Sequence, residues 1–477
     1  MFKLSKVTQV IIFHLLLGVI AKGSGKLFCL YYLCVIGLGL LHVIKSRDKG
    51  SIALKYAAYL TSLEVVYRMA GASFFYELGK YGVMALCITG YFVSPFKAKR
   101  NPFFFILLLL LPAVLFTEYP GTFFLYRKMV LFNLSGGLVL AFTGIYCYQR
   151  EVEKEDFWQM MRWAVLPAIT LVTFLFLGAK VSEIDFTSSS NFEASGGFGP
   201  NQVSCALSFC AIPIFLSLWN GKVLTINKLT DCLLMVLILI RALLTFSRGG
   251  VIAMVIALLA STIFLYFLYK EYRAKVLKSL PGLIVILILF GVGIVVANNM
   301  SNNWLRHRYM NENTMTVKYG VQRDKKSLLT GRDVIMDAEL KLFRENFLTG
   351  TGVGMSKVMR QRKYGYNAGY LSMASHTEYT RLLSEHGVSG AIIIFLLLVA
   401  LPFKRFVNDQ NILSLQFMLI FFILGALTMW HAAMRTSLAA FVIASSFIVV
   451  KGAQSKRKRL RLRRPKKTSR KTTGVEL

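Results

Sequence analysis

Apolar residues run along the chain in continuous blocks, not in alternation. Candidate blocks cover 7–21, 27–44, 52–69, 76–93, 102–116, 129–148, 162–178, 202–219, 231–246, 250–268, 280–297, 388–403, 412–430 and 433–450. Many approach twenty residues, the length an α-helix needs to cross hydrocarbon. Continuous runs also argue against a membrane β-barrel, whose strands alternate. The pattern predicts an all-α polytopic membrane protein with about 12–14 transmembrane helices. Between 297 and 388 it breaks for one long polar stretch.

Composition sharpens this picture. Of 477 residues, 55% are hydrophobic and 17% charged, and mean hydropathy is +0.56. Soluble domains carry roughly 25% charged residues, so a soluble globular enzyme is excluded, as is a disordered chain. The seven cysteines fall in or at the start of apolar blocks and none forms a C-x-x-C pair; they read as packing residues. Lys3 and Lys6 before the apolar run from Val7 resemble a signal peptide, but no small-x-small cleavage site follows. That run is read as a retained first span.

The net charge of +33 suggests a membrane before a nucleic acid. The largest cluster, after Val450, has no interleaved aromatic residues for base stacking; it reads as a cytoplasmic anchor against anionic lipid. Alternating backwards from that tail brings Lys404 and Arg405, the 270–278 cluster, Lys222, Lys228, the 97–100 cluster, the 45–49 cluster and the N-terminus to the cytoplasmic side. Lys22 and Lys26 are exceptions. The expected divisions are an N-terminal bundle (1–178), central helices with a Gly-rich loop (179–297), a large helical outer loop (298–387), C-terminal helices (388–450) and a basic tail (451–477).

The outer side then holds the candidate chemistry. Ser247-Arg248-Gly249-Gly250 interrupts two apolar runs. An Arg fork suits phosphate oxygens, while a snorkelling interfacial Arg is equally open. Arg241 lies deeper, as a ligand group or as the partner of a buried carboxylate. Glu64 and Arg68 stand at i, i+4 and can pair on one helix face. Arg435 begins the last span on the same side, where an interface anchor is the simple reading. Asn201, after Gly199-Pro200 at a helix start, is favoured as a cap over a substrate contact. In the long loop, Met336, Leu340, Phe343 and Phe347 predict an apolar helical stripe. Gly350, Gly352 and Gly354 after it read as a flexible turn, not a dinucleotide fingerprint. Ser375 and Glu378 fit a capping box, which puts His376 in the first helical turn. There the helix dipole keeps the ring neutral and able to accept a proton. The loop is rich in Arg and Lys on the side where topology does not require them, and an anionic ligand or anionic headgroups would account for that.

Several motifs follow one order. Phe198-Gly-Pro-Asn-Gln-Val-Ser204 opens a span and Thr245-Phe-Ser-Arg-Gly-Gly250 joins two. Thr330-Gly-Arg-Asp333 begins a loop helix, followed by Leu348-Thr-Gly-Thr-Gly-Val-Gly354. Ser375-His-Thr-Glu-Tyr379 runs into Leu383-Ser-Glu-His-Gly-Val-Ser-Gly390. Over roughly 196–403 this resembles the O-antigen ligase and Wzy-type polymerase family. The resemblance implies a bacterial inner-membrane glycosyltransferase of the GT-C type with cytoplasmic termini and a periplasmic site. It implies transfer of a glycan from undecaprenyl diphosphate to lipid A–core, or to another lipid-linked repeat in a polymerase, without metal, cofactor or nucleic acid. The family's span-joining Arg matches Arg248, its loop Arg matches Arg332 and its catalytic His matches His376. Arg68 is added as a further diphosphate ligand, with Asn201, Ser247 and Tyr379 as secondary contacts. Many members carry Asn after the His, where this chain has Thr377. An anionic-lipid transporter is the reading from another class; it predicts repeated halves, and none is visible.

Overall fold

The computed structural model describes residues 5–71, 74–98, 100–118, 121–178, 180–310, 312, 314–320, 332–365, 373–409 and 411–451. Thr330, Gly331 and the basic tail lie outside them.

The chain is a helical membrane bundle. Its first part comprises α1 (Lys6–Gly23), α2 (Gly25–Ser46), α3 (Ile52–Met69), α4 (Leu78–Val93), α5 (Phe103–Leu110), α6 (Pro112–Leu115), α7 (Phe123–Cys147) and α8 (Lys154–Phe176). After a loop come α9 (Pro200–Trp219), α10 (Lys228–Leu244), α11 (Arg248–Leu268) and α12 (Lys270–Met300). The polar stretch folds into α13 (Trp304–Tyr309), α14 (Thr314–Tyr319), α15 (Arg332–Glu345) and α16 (Met355–Tyr364). Then α17 (Glu378–Phe395) continues through a π-turn into α18 (Leu401–Asn408), followed by α19 (Ile412–His431) and α20 (Ser437–Ser445). A two-residue parallel pair, Glu151–Val152 with Val449–Val450, pins the α7–α8 link to the end of α20.

Each predicted block coincides with a helix, but fewer of them are full spans. Among the described residues eight helices are long and apolar enough to cross a membrane, or nine if the bent pair within α12 counts as one. The shortfall has a packing reason. Helix α3 carries Lys55, Glu64 and Arg68 and lies inside the bundle against α8 and α4. Surrounded by protein, it can be polar where partners are supplied. Lys55 pairs with Asp156 at 2.8 Å. Helix α20 is short and buried all round, and Pro112 breaks the 103–115 run. The cysteines form no disulfide, and five of the seven are buried.

Two features of the loop differ from expectation. The buried face of α15 is Ile335, Ala338, Glu339 and Leu342, one position out of phase with the apolar stripe, because a buried carboxylate faces inward. The triple glycine is a packed turn. Gly350, Gly352 and Gly354 all have positive φ. A Cβ at Gly350 would stand 2.3 Å from the Glu385 carbonyl oxygen, and one at Gly352 2.6 Å from the Thr117 Cα. Glycine is required here for close backbone approach.

Candidate functional site

The site forms where the α10–α11 joint, α13, the start of α15, the segment before α17 and the α19–α20 turn meet. The joint is rigid. Ser247 Oγ donates to Asn201 Oδ1 at 2.7 Å, and Ser204 Oγ donates to the Ser247 carbonyl at 3.0 Å. A Cβ at Gly250 would fall 2.5 Å from Ser204 Oγ, so α11 abuts α9 directly. Asn201 is therefore not a cap. Gly199 holds the N-cap position with Pro200 in the first turn, and the Asn201 side chain bridges Ser247 and the His431 carbonyl.

Arg248 heads α11 and its Nη1 donates to the Arg308 carbonyl at 3.3 Å. The Arg308 guanidinium donates to the carbonyls of Phe246 at 3.1 Å and Ser188 at 2.6 Å. That one side chain thus ties the α10–α11 joint to the 181–199 loop. Arg332 is the first residue of α15. Burial, then the charges of Arg248 and Arg435, lowers its basicity; a guanidinium remains charged at neutral pH regardless. Arg308 is lowered for the same reasons, burial first and then Arg248 and Arg332. These guanidinium groups crowd together in a partly dry place.

His376 stands two residues ahead of α17, at a bend in the chain. The expected capping box does not form. Thr377 is the N-cap and makes no side-chain cap bond. Ser375 and Glu378 are engaged elsewhere, because buried charges claim both. Glu339, fully buried on α15, accepts from Ser375 Oγ, from Ser356 Oγ at 3.2 Å and from Thr380 Oγ1 at 2.5 Å. Arg360 faces it at 3.4 Å and donates to the Met373 carbonyl at 2.7 Å. From the other side, Arg435 Nη2 donates to the Ser375 carbonyl at 2.9 Å. Glu378 pairs with Arg381 and accepts from the Met434 N–H at 3.1 Å. The histidine is held in place by its neighbours' hydrogen bonds, not by a helix turn.

Burial, followed by the charges of Arg332, Arg435 and Arg360 and by His431, pulls the His376 imidazole down to about 4. The ring is therefore neutral at pH 7, as expected, through desolvation and cations and not through a helix dipole. Among the described residues, no hydrogen bond engages the His376 ring or the Arg332 guanidinium.

Residues 233–395 match the family model described as O-antigen ligase. This stretch is an O-antigen ligase family domain. It spans α10 to α17 and contains Arg248, Arg332 and His376. A search of curated proteins gives no match. The family ties the chain to glycan ligation or polymerisation on lipid-linked substrates in a membrane, and so to an enzyme.

Other expected residues stand apart from the open cluster. Arg68 is 1% exposed in its side chain, 2.6 Å from Glu64 and 3.4 Å from Glu77, with Tyr76 over its guanidinium. It thus lies between two carboxylates, and Glu77 is shared with Lys80 at 2.8 Å. Arg241 has no carboxylate partner; it donates to the Ala194 carbonyl at 2.9 Å and lies over Phe176. The Tyr379 hydroxyl donates to the Ala426 carbonyl at 2.8 Å, so it holds α17 to α19. In the ligase-family domain, Arg308, Glu339 and Arg360 lie beside these residues. The two arginines were visible only as part of the loop's basic excess. Glu339 has no signal in the sequence beyond a carboxylate near an apolar helix face.

Proposed function

We propose that the protein transfers a glycan from undecaprenyl diphosphate to an acceptor hydroxyl of lipid A–core, at the periplasmic face of a bacterial inner membrane. In this reading it is an inverting GT-C-type enzyme with no metal role. The observation that carries it is the placing of a neutral, half-buried histidine beside the half-buried Arg332 and Arg435, whose charges, with that of Arg360, hold its basicity down.

The chemistry follows from that placing. The His376 ring accepts the proton of the acceptor hydroxyl. The acceptor oxygen attacks the anomeric carbon as the bond to the diphosphate breaks, and the electron pair leaves with a phosphate oxygen. Arg248 and Arg332 face that growing negative charge, with Arg308 behind them, and the N-terminus of α15 adds its free N–H groups. Proton abstraction contributes about 10²–10⁴-fold. Loss of one preorganised cation or donor at the leaving group costs roughly 10²–10³-fold. The basic outer loop suits a phosphorylated acceptor.

The test uses purified full-length protein with lipid-linked glycan, with and without core lipid, comparing wild type with His376→Ala. Release of undecaprenyl diphosphate that needs both core lipid and His376, with one glycan block added, supports the ligase. Lengthened lipid-linked glycan without core lipid makes the enzyme a polymerase. Release unchanged in His376→Ala removes the mechanism.

A further inference from the structure

A groove of about 340 Å³ lies between the start of α8 and the α9–α10 turn. Helix α9 begins at Pro200, next to the Asn201–Ser247 contact, and ends at Trp219. Its 20 residues rise about 30 Å. The groove therefore belongs to the membrane face opposite His376, the one whose charge reads as cytoplasmic. Lys154, Trp158 and Arg162 stand at i, i+4 and i+8 on α8, so one helix face forms a wall. Lys222, Val223 and Leu224 form the other. That turn is fixed from two sides. The buried Asp231 accepts from the N–H groups of Leu224 and Thr225, both at 2.9 Å. The carbonyls of Leu224 and Val223 accept from Arg162, from Nε at 2.9 Å and from Nη2 at 3.4 Å. Arg162 Nη1 has no acceptor among the described residues. Lys154, Arg162 and Lys222 bring three cations to the groove, and Glu155 brings one carboxylate. None of these cations forms an ion pair among the described residues. Topology alone accounts for lysines on this face. It does not account for a guanidinium clamped to a rigid turn with its charge uncompensated.

We infer that this groove binds a phosphate group, as a second anion site separate from the one at His376. Arg162 Nη1 supplies a directed donor, and guanidinium geometry suits phosphate oxygens. Lys154 and Lys222 supply ammonium groups that can swing onto the anion, one from each wall. With Glu155 the lining carries a net charge of +2, three cations less one carboxylate. A phosphate of one or two negative charges offsets that. The volume is low in the range of small-ligand sites and holds a phosphate with a few attached atoms. A phosphodiester headgroup at the membrane surface and a free phosphate share this chemistry. Once bound, either bridges α8 to the α9–α10 turn through ion pairs that the protein does not itself supply.

The experiment reads the two lysines directly. Full-length protein, stripped of lipid in an uncharged detergent, is acetylated with an N-hydroxysuccinimide ester. Rates at Lys154, Lys222 and Lys404 are followed by peptide mass spectrometry. Lys404 is exposed and lies outside the groove. The probes, at matched ionic strength, are dioctanoyl phosphatidylglycerol, glycerol phosphate, inorganic phosphate and dioctanoylglycerol. A phosphate-bearing probe at about ten times its Kd should slow Lys154 and Lys222 by about tenfold, by mass action. Lys404 should react as before. Protection by phosphatidylglycerol alone makes the source a lipid headgroup; protection by the soluble phosphates as well makes it a free anion. Arg162→Gln should abolish the protection while both lysines stay reactive. Because Arg162 also holds the turn, Glu155→Gln is the second variant. It leaves those hydrogen bonds in place, removes the opposing charge and should strengthen protection. The inference is overturned if no phosphate probe protects, if dioctanoylglycerol protects equally, or if Lys404 slows equally. Undiminished protection in Arg162→Gln, or weaker protection in Glu155→Gln, overturns it as well. Glycan transfer does not enter the readout, so failure here leaves the enzymatic reading intact.

Discussion

The pH dependence of transfer offers a direct check on His376. Its imidazole is drawn from an ordinary value of 6.5 to about 4, by burial first and by Arg332, Arg435 and Arg360 next. At pH 7 that leaves only about one ring in a thousand protonated, against roughly a quarter at the ordinary value. The free enzyme therefore has its base ready throughout the physiological range. The profile of kcat/KM, which reports the free enzyme, should be flat down to about pH 5, with its acid limb near 4. The donor's diphosphate diester carries no titrating proton in that interval. Once bound, its negative charge offsets the arginines that depress the ring. The acid limb of kcat should then lie at higher pH than that of kcat/KM. The assay measures glycan transfer from about pH 3 to 8 at constant ionic strength, at low and at saturating donor. In Arg435→Gln, one depressing cation is removed and the kcat/KM limb should move up. An acid limb near 6.5 in kcat/KM for wild type, absent in His376→Gln, would refute a desolvated histidine ringed by cations.

Other expectations follow from the same geometry. Unfolded protein takes up a proton at His376 near 6.5 and folded protein near 4. Between those values the unfolded state binds more protons, so stability rises with pH there and is lost as pH falls; melting of His376→Gln should depend less on pH in that window. Glu339→Ala leaves Arg360 buried without its ion pair, at a cost of about 3–5 kcal/mol, read as a lowered melting temperature. Glu339→Gln keeps the shape and should lower kcat more than it raises KM, since it loosens the Ser375 anchor beside His376. Arg332→Lys keeps the charge but loses the planar fork; transfer should drop with little change in melting. Gly350→Ala forces a Cβ into the Glu385 backbone and should abolish monodisperse protein on size exclusion. Gly320→Ala, also at positive φ but with open space around it, should cost only about 1 kcal/mol.

Hydropathy made the helices legible because continuous apolar runs have few alternatives. It overcounted full spans because α3 and α20 are sheltered by protein, and burial in protein relaxes the demand for length and apolarity. Arg332 at a helix start was readable, since a helix boundary is a local property. The setting of His376 was not. A capping box is also local, but Ser375 and Glu378 were taken by Glu339 and Arg381, one distant in the chain and one a turn away. Asn201 shows the same competition, as Ser247 from the next helix claims its side chain. In each case a polar group with a sound local role was drawn into a buried contact instead, because an unpaired group in a dry interior costs more than an uncapped helix end.

The same reasoning explains why the arginine cluster points to an anion. Elsewhere this chain pairs several of its buried guanidinium groups with carboxylates. Arg68 meets Glu64 at 2.6 Å, Arg150 meets Asp48 at 2.8 Å, Arg381 meets Glu385 at 2.8 Å and Arg405 meets Asp409 at 2.5 Å. Near His376, Arg360 still faces Glu339 at 3.4 Å, but Arg332 differs. Arg332 is lowered by burial and by two further arginines, and no carboxylate counteracts them. Arg308 spends its donors on backbone carbonyls, which carry only partial charge. Like charges gathered in a poorly solvated place repel one another and raise the free energy of the protein without an anion. A monovalent headgroup would offset one of them. A diphosphate spans several guanidinium groups at once and places its bridging ester beside a histidine that those same charges keep unprotonated. The cations that bind the leaving group are thus also the ones that hold the base ready. That coupling is why the site must be read as one unit, and why removing Arg435, which touches neither reactant in this account, should still shift the titration of His376.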